Sequence, residues 1–208
     1  MRPTVGRRTG TRHGRPWALV ALAILALTTA LAGCRSTAAT DQRSAGPPRA
    51  TAPPWSAPAH AVLYIRAAGL PALSAEALKV HFHAHLDVLV DGRAVPVPAF
   101  LGVDLDARKI SPLHTHDSSG IVHVEAPRPM TITLGQVFTE WDVRLDEHCV
   151  GSLCDGSGKS LRLYVGGRLR PGDPRTLVLA RHQEIALVYG DAAVQPPVPS
   201  SYAFPSVR

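Results

Sequence analysis

The sequence predicts an α+β domain, a mostly antiparallel sheet with one short helix packed on it, in an order that suits a β-grasp-like arrangement. Three observations carry this expectation. Val80–Val90 alternates apolar and polar side chains with a period of two and runs directly into Asp91-Gly92, the pattern of a half-buried strand entering a hairpin turn. Residues 133–141 then place Leu134, Val137, Phe138 and Trp141 at helical spacing, an amphipathic stripe. Short apolar segments at 161–165 and 184–189 follow as strands. Hairpin, strand, helix and further strands is the sequence of an α+β fold; a β-sandwich with one short helix is the alternative that the same order leaves open.

In the first strand Val80, Phe82, Ala84, Leu86, Val88 and Val90 share one parity, whereas His81, His83, His85, Asp87 and Asp91 share the other, with Leu89 as the exception. Residues 93–98 return as its partner, and because Pro96 and Pro98 have no amide to donate, that partner must be short or at an edge. Residues 121–125 form a third strand. Gly166-Gly167 marks a turn after the strand at 161–165.

The flanks of this domain have a different character. Arg2, Arg7, Arg8, Arg12 and Arg15 precede an apolar run from Trp17 to Ala32, broken only by Thr28 and Thr29, and the run closes on Leu31-Ala32-Gly33-Cys34. A basic segment, an apolar segment shorter than the ~20 residues of a membrane span, and a small residue before cysteine are the parts of a secretory signal peptide of the lipoprotein type. Cleavage before Cys34 and its lipidation are therefore expected, which places the mature chain on the extracytoplasmic face of a membrane. Arg7-Arg8 lacks the apolar continuation of a twin-arginine signal, and the export route stays open. Without residues 1–33 the formal charge falls from +6 to +1, so the basic balance belongs to the signal and no stripe for nucleic acid remains. Residues 34–59, rich in Ala, Ser, Thr and Pro, read as a flexible tether. The folded domain is expected over 60–190, and 191–208, with Pro196, Pro197, Pro199 and Pro205, as an extended tail.

Once Cys34 is set aside, Cys149 and Cys154 are left as an even pair. In an exported chain such a pair reads as a disulfide closing a short loop, and the gap is not the two-residue spacing of redox and zinc-knuckle motifs.

Six of the ten histidines fall between residues 81 and 123: His81, His83 and His85, then His114 and His116, then His123 with Glu125 beyond it. Residues two apart on a strand project from one face about 6 to 7 Å apart, so each His-x-His pair can turn two imidazoles toward one ion. Asp87 continues the face of the first strand and Glu125 shares a face with His123 by the same parity, either as ligands or as acceptors that fix a histidine tautomer; Asp117 is a further candidate that equally suits a turn. Nitrogen ligands with little sulfur favour a transition metal, copper or zinc, over calcium or magnesium. A hydrogen-bonded or pH-responsive polar layer without metal is the competing reading. His60, His148 and His182 stand alone and read as ordinary surface or core residues.

Four motifs, His-x-His-x-His-Leu at 81–86, Leu-His-Thr-His-Asp-x-Ser-Gly-Ile-Val-His-Val-Glu at 113–125, Thr-Leu-Gly-x-x-Phe-x-x-Trp at 133–141 and Glu-Ile-Ala-Leu-Val-Tyr-Gly at 184–190, resemble an uncharacterised family of extracytoplasmic bacterial and archaeal proteins. The resemblance covers about residues 80–190 and implies one domain whose histidines belong together. It carries no activity with it.

The function expected from these readings is a membrane-anchored module that binds copper or zinc for sequestration, sensing or delivery. A metal-dependent hydrolase, with Glu125 or Asp117 as general base, is the enzymatic alternative, although His-Glu-x-x-His and Gly-x-Ser-x-Gly are absent. A metal-free interaction domain of an envelope complex is the third.

Overall fold

The alternation in Val80–Val90 becomes β1, an 11-residue strand at the centre of the molecule. The computed structural model describes residues 44–205; the expectations placed on the signal segment and on Cys34 lie outside the described residues. Asp91 and Gly92 adopt φ of 50° and 75°, as the two central residues of a type I′ turn require, and the chain returns as β2, Arg93–Val95. This return is shorter than the 93–98 expected, since Pro96 and Pro98 cannot extend a ladder. Two short strands, β3 (Val103–Asp104) and β4 (Lys109–Ile110), pair with each other before β5 (Leu113–His114) and β6 (Ile121–Ala126). The expected helix is α2, Leu134–Glu140, opened by a capping box between Thr133 and Gln136. The hairpin of β7 (Cys149–Val150) and β8 (Leu153–Cys154) is closed by the Cys149–Cys154 disulfide. β9 (Lys159–Val165), β10 (Arg168–Arg170) and β11 (Glu184–Asp191) complete the sheet.

One edge of β1 carries β6 along 80–85 and β2 along 88–90, both antiparallel, and the other edge carries β11 along 85–90, parallel. The path β2-β1-β11-β9-β10, with a parallel central pair and every other pairing antiparallel, is the strand arrangement of a β-grasp sheet. β6 and β5 widen it beside the first half of β1.

One sheet face is the core: Ala84, Leu86 and Val88 of β1, Val122 and Val124 of β6, and Ile185 and Leu187 of β11 lie buried with Leu134, Val137, Phe138 and Trp141 of α2. The large side chains there each contribute roughly 1.5–3 kcal/mol by leaving water. A second helix that the sequence reading missed, α1 at Ala61–Ala67, buries Ile65 in the same core; seven residues give the helical period too little length to show. Gln136 ties the two helices by donating through Nε2 to the Ala68 carbonyl at 2.9 Å.

Two boundaries differ from expectation. The described part of the segment read as a tether, residues 44–59, docks on the fold: Trp55 is buried edge-on against Trp141 with centroids 5.7 Å apart, and Trp141 Nε1 donates to the Trp55 carbonyl at 3.0 Å. Arg49 donates to the Trp141 and Asp142 carbonyls. One tryptophan in a polar stretch is enough to fasten it, because burying an aromatic ring outweighs the ordering of a few residues. The Pro-rich tail likewise lies against the molecule. Arg162 holds the Asp191 and Val194 carbonyls at 2.8 Å each, Val198 packs with Tyr164, Ala186, Val188 and Leu89 on the second sheet face, and Tyr202 and Phe204 stack on His85 and His182. Leu89, the exception in the alternation, thus has an apolar neighbourhood of its own. Among the described residues no helix is long and apolar enough to cross a membrane.

Candidate metal centre

The second face of the sheet is where the histidines meet. The β1/β6 register sets His83 opposite His123 and His81 opposite Glu125, and the β5/β6 register sets His114 opposite His123. Three adjacent strands therefore carry His83, His123 and His114 in one row across the sheet, which parity alone requires once the strands are neighbours. His116, two residues past His114, brings its ring to within 4.4 Å of the His123 ring, the same centroid separation that His83 has from His123 on the other side.

The ligand atoms crowd together. His81 Nε2 lies 3.1 Å from His83 Nε2, and Glu125 Oε1 lies 3.4 Å from both His81 Nε2 and His123 Nδ1. His81, His83, His123 and Glu125 each present one such atom within 4.8 Å of the others, and so do His114, His116, His123 and Glu125. Both groups are able to hold a metal ion.

Three atoms of this cluster, His114 Nε2, His123 Nδ1 and Glu125 Oε2, are buried without a hydrogen-bond partner among the described residues. A buried polar atom left unpaired costs about 1–3 kcal/mol, and three in one cluster need a reason. His114 shows how the arrangement is prepared. Its Nδ1–H donates to the Ser111 carbonyl at 3.0 Å, which puts the proton on Nδ1 and leaves Nε2 with a lone pair, the tautomer that a metal-binding histidine uses. The residues present fit a metal ion on these grounds.

Electrostatics agrees. Burial pushes His114 down to about 4, and the charges of His116, His83 and His81 add to that against the Ser111 hydrogen bond. Burial pushes His123 down to about 3, helped by His83, His116, His114 and His81. His83 is lowered as well, first by burial and then by its cationic neighbours. Closely packed rings cannot all be protonated, so the buried ones stay neutral, which is the form that ligates. Burial raises the Glu125 carboxyl, and Glu76 raises it further while His81 and His116 oppose.

Not every residue of the sequence-predicted set joins the cluster. His85 shares the face, yet its Nδ1 lies 3.0 Å from Glu184 Oε2 and its Nε2 2.9 Å from the Ser119 carbonyl, under the Tyr202 ring stacked at 3.8 Å. It forms a separate group with Asp87 and Glu184, in which burial foremost raises Glu184 to about 7 against the hydrogen bond from His85. Asp117 is exposed and accepts the Ser119 amide at 2.9 Å, the turn role that its neighbours suggested. His148 pairs with Asp155 away from the cluster, whereas His182 lies beside it, its amide donating to the His83 carbonyl at 2.7 Å and its ring stacked on Phe204. Glu76, whose Oε1 is 3.6 Å from His116 Nε2, was missed, because it comes from an irregular segment where no periodicity points at a partner. Glu184 was missed as a partner of His85, although it opens the otherwise apolar run 184–189.

No protein-family model, curated protein or solved structure matches the chain.

Proposed function

We propose that this chain is an extracytoplasmic lipoprotein, anchored through lipid at Cys34, whose domain binds copper or zinc at the histidine cluster for sequestration, sensing or delivery. The observation that carries the reading is the set of buried, unpartnered ligand atoms, His114 Nε2, His123 Nδ1 and Glu125 Oε2, gathered in one place. His81, His83, His114, His116, His123 and Glu125 are the residues that would hold the ion. Five imidazoles, one carboxylate and no thiolate make a donor set for Cu(II) or Zn(II) and not for Ca(II) or Mg(II). Copper binds such a set more tightly at equal concentration. Compartment supports the same reading: the lipobox at 31–34 and the disulfide both belong to an oxidising exterior. The four sequence motifs are taken as membership of the extracytoplasmic family they resemble, which adds location and no chemistry.

Native mass spectrometry of the full-length chain, before and after chelation, tests the proposal. Copper or zinc retained by the native chain and lost from a His83→Ala/His116→Ala variant is the expected result. A chain that retains neither metal after challenge with both would overturn it.

A further inference from the structure

We infer that the cluster holds two ions side by side, bridged by the Glu125 carboxylate. This rests on reading the cluster as a metal centre and goes further, because it assigns each ligand to one of two positions. Six side chains exceed the four that a tetrahedral ion takes. Their ligand atoms do not converge as one set either: they fall into two four-residue groups that have only His123 and Glu125 in common.

The shared residues sit at the junction. The His123 ring lies between those of His83 and His116, 4.4 Å from each. Glu125 has two oxygens to divide. Oε1 is 3.4 Å from both His81 Nε2 and His123 Nδ1, which draws it to the first group, and Oε2 is buried with no partner. The first ion accordingly takes His81, His83, His123 Nδ1 and Glu125 Oε1, a complete set of four. The second takes His114 Nε2, His116 and Glu125 Oε2, a set of three. Carboxylate-bridged ions stand about 3.5–4 Å apart in such centres, and a carboxylate on the outer side offsets the added charge: Glu76 Oε1 lies 3.6 Å from His116 Nε2.

The two positions differ in closure. Four protein ligands shut the first, whereas three leave the second with one coordination position open, on the side where His116 is half-exposed, its side chain 46% accessible. The first ion is therefore the retained one and the second the exchangeable one, and a module that delivers metal would hand over the second.

The test is a titration of the full-length chain, stripped of metal, with Zn(II) against a chromophoric chelator, with ions counted by native mass spectrometry. The same chain is then loaded with Cu(II) for electron paramagnetic resonance. Two ions are expected, the second bound at least about tenfold more weakly, and the copper spectrum should show dipolar coupling between neighbours. His116→Ala, an accessible position whose substitution leaves the core untouched, should lose the weaker ion alone and give the spectrum of one isolated copper. A single ion at saturation overturns the two-ion centre and leaves the metal centre standing. Two magnetically isolated coppers also overturn it, by assigning the second to the group of His85, Asp87 and Glu184. No bound ion at all overturns the metal centre itself.

Discussion

His83 and His85 stand two residues apart on one face of β1, and their ring nitrogens meet opposite fates. His83 faces His81 and His123, rings that compete with it for protons and offer it lone pairs. His85 has Glu184 on one nitrogen, the Ser119 carbonyl on the other and Tyr202 over its face. The identical motif His-x-His-x-His thus places one ring in a group able to hold a metal ion and leaves the other a finished hydrogen-bonded residue. What separates them is the kind of partner: a carboxylate and a backbone carbonyl hold His85, whereas His83 Nε2 meets only another imidazole nitrogen, in a cluster whose His114 Nε2 and His123 Nδ1 have no partner among the described residues. An imidazole with both nitrogens engaged has nothing left for an ion, and one that is buried and unpartnered carries a standing cost that an ion removes.

The largest effects should come from the open end. Replacing His123 by Ala removes the ring shared by both ligand groups, and metal affinity should fall by more than about 100-fold, exceeding the 10–100-fold loss typical of residues that only orient a ligand. His85→Ala should leave affinity within about threefold of the parent. Equilibrium competition titrations of the two variants decide the matter, and equal losses would dissolve the distinction between the ends.

How much of this contrast the sequence contained depends on distance along the chain. The alternation of β1 made His81, His83 and His85 one face, and the parity of His123 and Glu125 placed them together; both follow from the period of a strand. That β5 would set His114 opposite His123 needed only the short return through Gly120. The fate of His85 was not legible, because Glu184 lies 99 residues away and reaches it through the parallel pairing of β1 with β11, a crossover that leaves no local pattern. Trp55 and Tyr202 were hidden for a related reason. Each lies in a polar, Pro-rich stretch with one or two aromatics, Trp55 alone and Tyr202 with Phe204, and composition averages away the few side chains that anchor it.

A smaller effect is expected when the closed end is opened. Glu184→Ala leaves His85 Nδ1 buried without its partner, and unfolding by urea should show a loss of about 1–3 kcal/mol. Metal affinity should not move. An affinity that rises instead would mean that His85 becomes a ligand once it is freed.

The two kinds of buried group also give the metal-free protein two pH limbs of opposite sign. His114 and His123 sit below their ordinary value of 6.5, at about 4 and about 3, so the unfolded chain binds more protons than the folded one between 6.5 and about 3, and stability falls as pH falls through that window. Glu140, wholly buried at the end of α2 with Ser111 Oγ donating to its Oε1, is pushed by burial from 4.5 up to about 8. Here the folded chain holds the extra proton, so the contribution is fully present below 4.5 and is lost as pH rises toward 8. Thermal melts of the metal-free chain should show both limbs. Glu140→Gln, which keeps an acceptor for Ser111 and cannot ionise, should remove its share of the alkaline limb, leaving the share of Glu184, which is raised to about 7, and the acid limb unchanged.

The smallest effect belongs to the tail. Tyr202 lies nearly parallel to the His85 ring, 10° between planes, and contacts Phe204, which stacks in turn on His182. Aromatic pairs of this kind contribute about 0.5–1.5 kcal/mol beyond burial, so Tyr202→Ala should lower unfolding free energy by about that amount and speed hydrogen exchange in the tail. It should do so without changing metal affinity, because the ring it uncovers already has both nitrogens bonded. A Tyr202→Ala variant whose metal binding weakens as strongly as that of His123→Ala would show that the tail and the cluster act as one unit, and the two ends of β1 would then differ in exposure alone and not in chemistry.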